Sequence, residues 1–115
     1  MDTLTIYHNG RCSKSRGALE ILIEQNIPYT ARWYMTEPLK KTELKRLLKK
    51  LGMKAVDLVR KNELIYKEQF RDTEHTESEW VSILIAHPEL MERPIVEKGD
   101  KAIVARPPER VFEFI

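Results

Sequence analysis

The opening of the chain restricts its fold more than any other segment. Leu4-Thr5-Ile6-Tyr7 is short, β-branched and aromatic, and it runs into the turn formers Asn9-Gly10, which marks a strand that stops abruptly. A helix follows at once. From Ser13 or Ser15 onward, Ala18, Leu19, Leu22 and Ile23 recur at helical spacing, and Pro28, just past Asn26-Ile27, halts the pattern. Tyr29 to Tyr34 alternates weakly and is rich in aromatic and β-branched residues, which predicts a second strand. Strand, helix and strand in this order make a βαβ unit, most simply parallel and right-handed.

The middle of the chain turns helical. Leu44, Leu47, Leu48 and Leu51 fall at i, i+3, i+4 and i+7 after Thr42, and Gly52 supplies a C-terminal stop. Ala55 to Asn62 predicts a short helical segment. Thr76-Glu77-Ser78-Glu79 has the form of a capping box in front of Trp80, Ile83 and Leu84, and this helix ends near His87 because Pro88 disfavours helical geometry in the residue before it. Strands return in the last third. Pro94-Ile95-Val96-Glu97 and Lys101-Ala102-Ile103-Val104-Ala105 flank Lys98-Gly99-Asp100, the composition of a tight hairpin. Pro107-Pro108 then opens a final helix carrying Val111, Phe112 and Ile115. This order describes an α/β sandwich with a small mixed sheet. At 115 residues it is expected to be one domain, 1-115, able to bury about two thirds of its unfolded surface without metal or disulfide staples.

Charge and cysteine content narrow the function. Lys and Arg number 20 against 18 Asp and Glu, a net charge of +2, too balanced for the basic footprint that a phosphate backbone demands. Nucleic acid is therefore not an expected partner. Lys40, Lys41, Lys45, Arg46, Lys49 and Lys50 crowd the middle helix, either as a solvated face opposite the leucine stripe or as a patch for an acidic partner. No stretch approaches the ~18 apolar residues of a membrane span, and the N-terminus lacks the basic start and apolar run of a signal peptide. Cys12 is the single cysteine, which excludes an internal disulfide and a thiolate-rich zinc site and suits a reducing compartment. A cytoplasmic protein with no bound metal or cofactor is expected.

Cys12 is also the most informative residue for chemistry. It lies in the turn between the first strand and the first helix, where backbone N–H groups point outward and the helix dipole favours an anion, so a thiolate is favoured there. Lys14 and Arg16 stand near the same helix end, where cations oppose the dipole by roughly 0.3–1 kcal/mol each and make better sense beside a thiolate. A free cysteine can instead be a small buried filler, but the polar neighbours Asn9 to Ser15 point to a solvated turn and a reactive thiol. The phosphate-cradling loop of cysteine phosphatases closes on an arginine where this chain has Ala18, so that chemistry is not expected. A dithiol oxidoreductase needs Cys-x-x-Cys, whereas Cys12-Ser13-Lys14-Ser15 carries a hydroxyl at the resolving position, so any disulfide step must use an outside thiol.

Other residues frame this one. His8 is open to a structural hydrogen bond or to a role beside the thiol, while His75 and His87 suit surface or capping positions. Arg60 ends the short helical segment, Arg93 precedes Pro94 at the entry to a strand, and Arg106 precedes Pro107-Pro108 at the exit of the next. Arginines at strand ends can reach the sheet edge that carries a strand-to-helix turn, and a guanidinium fork suits a tetrahedral oxyanion. Each can equally be an ordinary surface arginine. Trp33, Trp80, Phe70, Phe112 and Phe114 are expected at the core or its edge, and Met35, Met53 and Met91 as core fillers.

Four separated motifs carry a family resemblance. His8-Asn9-Gly10-Arg11-Cys12-Ser13-Lys14-Ser15-Arg16, Leu58-Val59-Arg60-Lys61-Asn62, Glu92-Arg93-Pro94-Ile95-Val96 and Ala105-Arg106-Pro107-Pro108-Glu109 resemble, in order, those of the arsenate reductases coupled to glutathione and glutaredoxin. Well-characterised members have a proline and a glycine where this chain has Gly10 and Ser13, and the Cys-Ser-Lys-Ser-Arg form is nearest to one subgroup. The resemblance implies a thioredoxin-like core with a helical insertion and a cis peptide at Arg93-Pro94. It also implies that Cys12 attacks arsenate, that Arg60, Arg93 and Arg106 hold the oxyanion and stabilise the thiolate, and that His8 and Ser15 support the cysteine. Glutathione, as co-substrate, would attack the arsenic adduct, and glutaredoxin would resolve the mixed disulfide to release arsenite; a monomer is expected.

Two other classes stay open. A redox-sensing regulator that binds RNA polymerase shares the fold, but its members often carry Cys-x-x-Cys and usually lack the arginine matched by Arg106. A glutathione-dependent thiol enzyme acting on mixed disulfides would also be served by a lone reactive cysteine.

Overall fold

The computed structural model describes residues 3–115. They form two compact units, one of residues 3–37 with Arg93–Ile115 and the other of Pro38–Glu92. The first unit holds the sheet. Strands β1 (Leu4–Tyr7) and β2 (Tyr29–Arg32) run parallel and are joined by helix α1 (Ser13–Glu24), the predicted βαβ opening. β2 ends at Arg32 rather than Tyr34, because Trp33 begins a turn whose carbonyl accepts the N–H groups of Thr36 and Glu37. β3 (Ile95–Lys98) lies antiparallel to both β1 and β4 (Lys101–Val104), so the sheet is mixed with the order β2-β1-β3-β4. Gly99 takes a left-handed φ of 62° in the hairpin loop, a conformation that L side chains resist.

Strand alternation puts Leu4 and Ile6 of β1 and Val96 of β3 on one face, where they meet Ala18 and Leu22 of α1, Ala105 and Val111. Full burial contributes about 1.5–3 kcal/mol for each of the larger side chains. The final helix that Pro107-Pro108 opens is of the 3-10 type, Pro108–Phe114. With three residues per turn, Val111 and Phe114 face the core together, and Phe112 turns outward to 48% exposure. Gly17 lets this segment approach α1, since a Cβ there would lie 3.1 Å from Pro108 Cγ.

The second unit is helical. Helix α2 (Lys41–Leu51) starts where the Glu43 carboxylate accepts the Lys40 N–H at 2.9 Å, buries Leu44, Leu47 and Leu48, and stops at Gly52 with φ 68°. Helix α3 (Glu77–Ala86) carries the predicted capping box: Glu79 N–H donates to Thr76 Oγ1 at 3.2 Å, and Thr76 N–H donates to Glu79 Oε1 at 2.9 Å. The segment read as helical to Asn62 is a 3-10 turn, Ala55–Leu58, cut short because Val59 extends to bridge Met91. A π-helical turn at Tyr66–Phe70 was not anticipated. Phe70, His75, Trp80 and His87 pack their rings there, which places His75 and His87 in an aromatic cluster. Trp80 and Met91 are buried as expected, whereas Trp33 and Met35 are exposed. Among the described residues, no helix is long and apolar enough to cross a membrane.

Candidate active site

The register of the sheet decides which residues can meet. Tyr7 pairs with both Arg32 and Ile95, and Ile95 pairs with Val104. The exits of β1, β2 and β4 and the entry of β3 therefore share one edge. From that edge emerge the loop His8–Cys12, the pair Trp33-Tyr34, and the two cis peptides Arg93-Pro94 and Arg106-Pro107. The first cis bond matches the family resemblance, and the second was not anticipated.

A chain of buried hydrogen bonds sets the loop. Asn9 N–H donates to Ser15 Oγ at 3.0 Å, and Ser15 Oγ lies 2.7 Å from His8 Nδ1. The arrangement that satisfies every group has the Ser15 hydroxyl donating to an unprotonated Nδ1. Burial, and secondarily the Arg16 charge, lower the His8 pKa and keep that ring neutral. Asn9 closes the turn twice, through Cys12 N–H to its carbonyl and Arg11 N–H to its Oδ1, both at 3.0 Å. Arg16 folds back so that its Nη1 donates to the Gly10 carbonyl at 3.0 Å. Gly10 sits close under the Trp33 ring: a Cβ there would lie 3.2 Å from it, and the ring also meets His8 edge-on at 4.7 Å.

Cys12 is the N-cap residue of α1, extended at φ −95° and ψ 121° and partly exposed. Its sulfur stands where a capping hydroxyl usually stands. No side chain closes a cap hydrogen bond there, and the first turn of α1 carries no acidic residue. Burial pushes the thiol up, but the Ser15 N–H, the Arg93 side chain and the Lys14 N–H together outweigh it and hold the pKa below the ordinary thiol value. This favours an accessible thiolate beside an arginine.

The three arginines are placed differently. Arg93 acts directly on the Cys12 sulfur. Arg106 donates from Nη1 to the Arg93 carbonyl at 3.2 Å, which ties it to the same strand ends. Arg60 belongs to the helical unit, where its N–H donates to the Leu90 carbonyl and its guanidinium lies 3.6 Å from Glu63. Among the described residues, no group of three His, Cys, Asp or Glu side chains is arranged to hold a metal.

The ArsC family model matches residues 7–114, a span that holds all of these groups. The chain belongs to the ArsC family. An uncharacterized Escherichia coli K12 protein, YfgD, is 41% identical over 112 residues, which is 96% of this chain and 94% of its own. An arsenate reductase of Neisseria meningitidis serogroup A is 40% identical over 113 residues, covering 96% of this chain and 97% of its own. The solved arsenate reductase from Vibrio cholerae superposes with a TM-score of 0.92 at 36% identity, covering 99% of this chain and 98% of its own. The mixed sheet with its helices is the thioredoxin-like α/β fold.

Two residues of this ArsC-family site escaped the sequence reading. Asn9 registers only as a turn former, although Asn is the residue whose amide can cap its own turn. Tyr34 registers only as a strand aromatic, and its one signal is that it directly follows a strand at the edge bearing the cysteine. The buried chain through Ser15 makes a direct prediction. Ser15→Ala leaves both His8 Nδ1 and the Asn9 N–H without a partner, at about 1–3 kcal/mol each. Urea unfolding is expected to show a loss of roughly 2–4 kcal/mol; no change in the midpoint would mean that the chain does not hold the loop.

Proposed function

We propose that this protein reduces arsenate to arsenite through a covalent adduct on Cys12, with glutathione and glutaredoxin as the reductants. The observation that carries the reading is the pairing of Arg93 and the α1 N-terminal N–H groups on one partly exposed sulfur. A thiolate approaching an arsenate anion meets like-charge repulsion, and a guanidinium with a helix N-terminus offsets it for both partners. The names of the relatives from Neisseria meningitidis and Vibrio cholerae support arsenate as the anion.

In this scheme the Cys12 thiolate displaces an arsenate oxygen, which leaves as water, and forms a sulfur–arsenic(V) bond. A glutathione thiolate attacks the Cys12 sulfur; the sulfur–arsenic pair of electrons passes to arsenic, which departs as arsenite. Glutaredoxin then takes the glutathione from the mixed disulfide and frees Cys12. Two thiols are oxidised and one arsenic is reduced, and one cysteine in this chain is enough. Arg93 and Arg106 hold the anion. Arg60 is assigned a third place on the resemblance of its segment alone.

The test is NADPH consumption by the purified protein with glutathione, glutaredoxin and glutathione reductase. Oxidation that depends on added arsenate is the expected result. Oxidation driven by a glutathione mixed disulfide and indifferent to arsenate would overturn it and make the protein a thiol-exchange enzyme.

A further inference from the structure

Tyr34 is 1% exposed, yet among the described residues its hydroxyl has no hydrogen-bond partner. Burying a hydroxyl unpaired is unfavourable and uncommon in native proteins, so the group calls for an explanation. It stands just beyond β2, on the edge that carries the cysteine loop and Arg93-Pro94. Arg93 and Cys12 act on it as charges, and the Asn9 and Arg93 side chains approach its hydroxyl, without closing a hydrogen bond of good geometry.

The chemistry of these neighbours is one-sided. A guanidinium has only donors. Asn9 Oδ1 already accepts the Arg11 N–H, and the Asn9 side chain lowers the Tyr34 pKa, which is the effect of an amide NH2 directed at the phenol oxygen, again a donor. The phenol oxygen is thus surrounded by groups it can accept from, while among the described residues its proton has no acceptor. An anion brought to Cys12 would supply that oxygen.

We propose that the Tyr34 hydroxyl is an additional oxyanion-binding group of this site, donating a hydrogen bond to an oxygen of the tetrahedral anion held beside the Cys12 sulfur and Arg93. This rests on the reading of the site as an oxyanion site and adds a neutral donor to the charged ones. A neutral donor places an oxygen without adding charge. Burial pushes the Tyr34 phenol up to about 12, with Arg93 pulling the other way and Cys12 adding to the rise. The proton therefore stays on the phenol at neutral pH, where a phenolate would repel the anion.

Tyr34→Phe removes the hydroxyl and keeps the ring. The probes are arsenate and sulfate, each titrated without added thiol for its ability to protect Cys12 from alkylation, beside an ultraviolet titration of the thiol and a thermal melt. Protection of wild type by either anion, weakened roughly 10- to 100-fold in Tyr34→Phe, is expected for one hydrogen bond to a charged oxygen. The melting temperature should hold or rise, because no protein partner is lost, and the thiol midpoint should not move. Equal protection in both proteins overturns the role of Tyr34 and leaves the oxyanion site standing. Weaker protection that is matched by a raised thiol midpoint also overturns it, by assigning the hydroxyl to the sulfur. No protection of wild type by either anion overturns the oxyanion site itself, and Tyr34 with it.

Discussion

Cys12→Ser is expected to abolish arsenate-dependent NADPH consumption, by roughly 10,000-fold or more, while the protein stays folded and still binds the anion. Removing a covalent nucleophile eliminates the only route to the adduct, and losses of this size are ordinary for nucleophiles. Serine keeps the shape of the residue and is itself a favoured N-cap, so α1 should form as before. Arg93 and the α1 N-terminus are untouched, so sulfate or arsenate affinity, measured by calorimetry, should fall far less than turnover. Residual turnover within about tenfold of wild type would place the chemistry elsewhere.

Arg93→Ala is expected to act on two steps at once. The guanidinium helps hold the Cys12 pKa below its ordinary value, so its removal should move the thiol titration midpoint upward and slow alkylation at neutral pH. In the proposed reaction it is also a charge-bearing donor for the anion, and loss of one such donor typically costs about 100- to 1,000-fold in rate. The reduction in turnover should therefore exceed what the lost thiolate fraction explains, and raising the pH should restore only part of it. Full recovery at high pH would confine Arg93 to the sulfur and take it away from the anion. Arg106→Ala should move the thiol midpoint less, because Arg106 is tied to the Arg93 carbonyl and does not act on the sulfur directly.

Local signals were legible wherever a short-range rule governs them. Thr76 and Glu79 form the capping box because both partners lie within one helical turn, and Gly52 ends α2 because a left-handed residue is cheapest as glycine. Cys12 was readable as a helix-terminal residue for the same reason: the strand before it and the helix after it are both marked within a few residues. The final helix carrying Val111, Phe112 and Ile115 has three residues per turn, a choice of helix type that its apolar residues do not signal. Trp33, expected at the core or its edge, is 46% exposed as it lies over Gly10.

The βαβ opening, the helical middle, the terminal hairpin and a solitary cysteine at the first helix N-terminus are all legible in the residues alone. Each depends on periodicity, capping or turn chemistry between near neighbours in the chain. What surrounds that cysteine emerges only on folding. Pairing of Tyr7 with both Arg32 and Ile95 brings residues from positions 12, 34 and 93 to one edge, and strand register is set by packing over long sequence distances that no local pattern records. The same register buries Tyr34 among donors and sets Arg93 against the sulfur. The lowered thiol pKa of Cys12 therefore begins with its place in the sequence and is tuned by contacts that exist only once the sheet has formed.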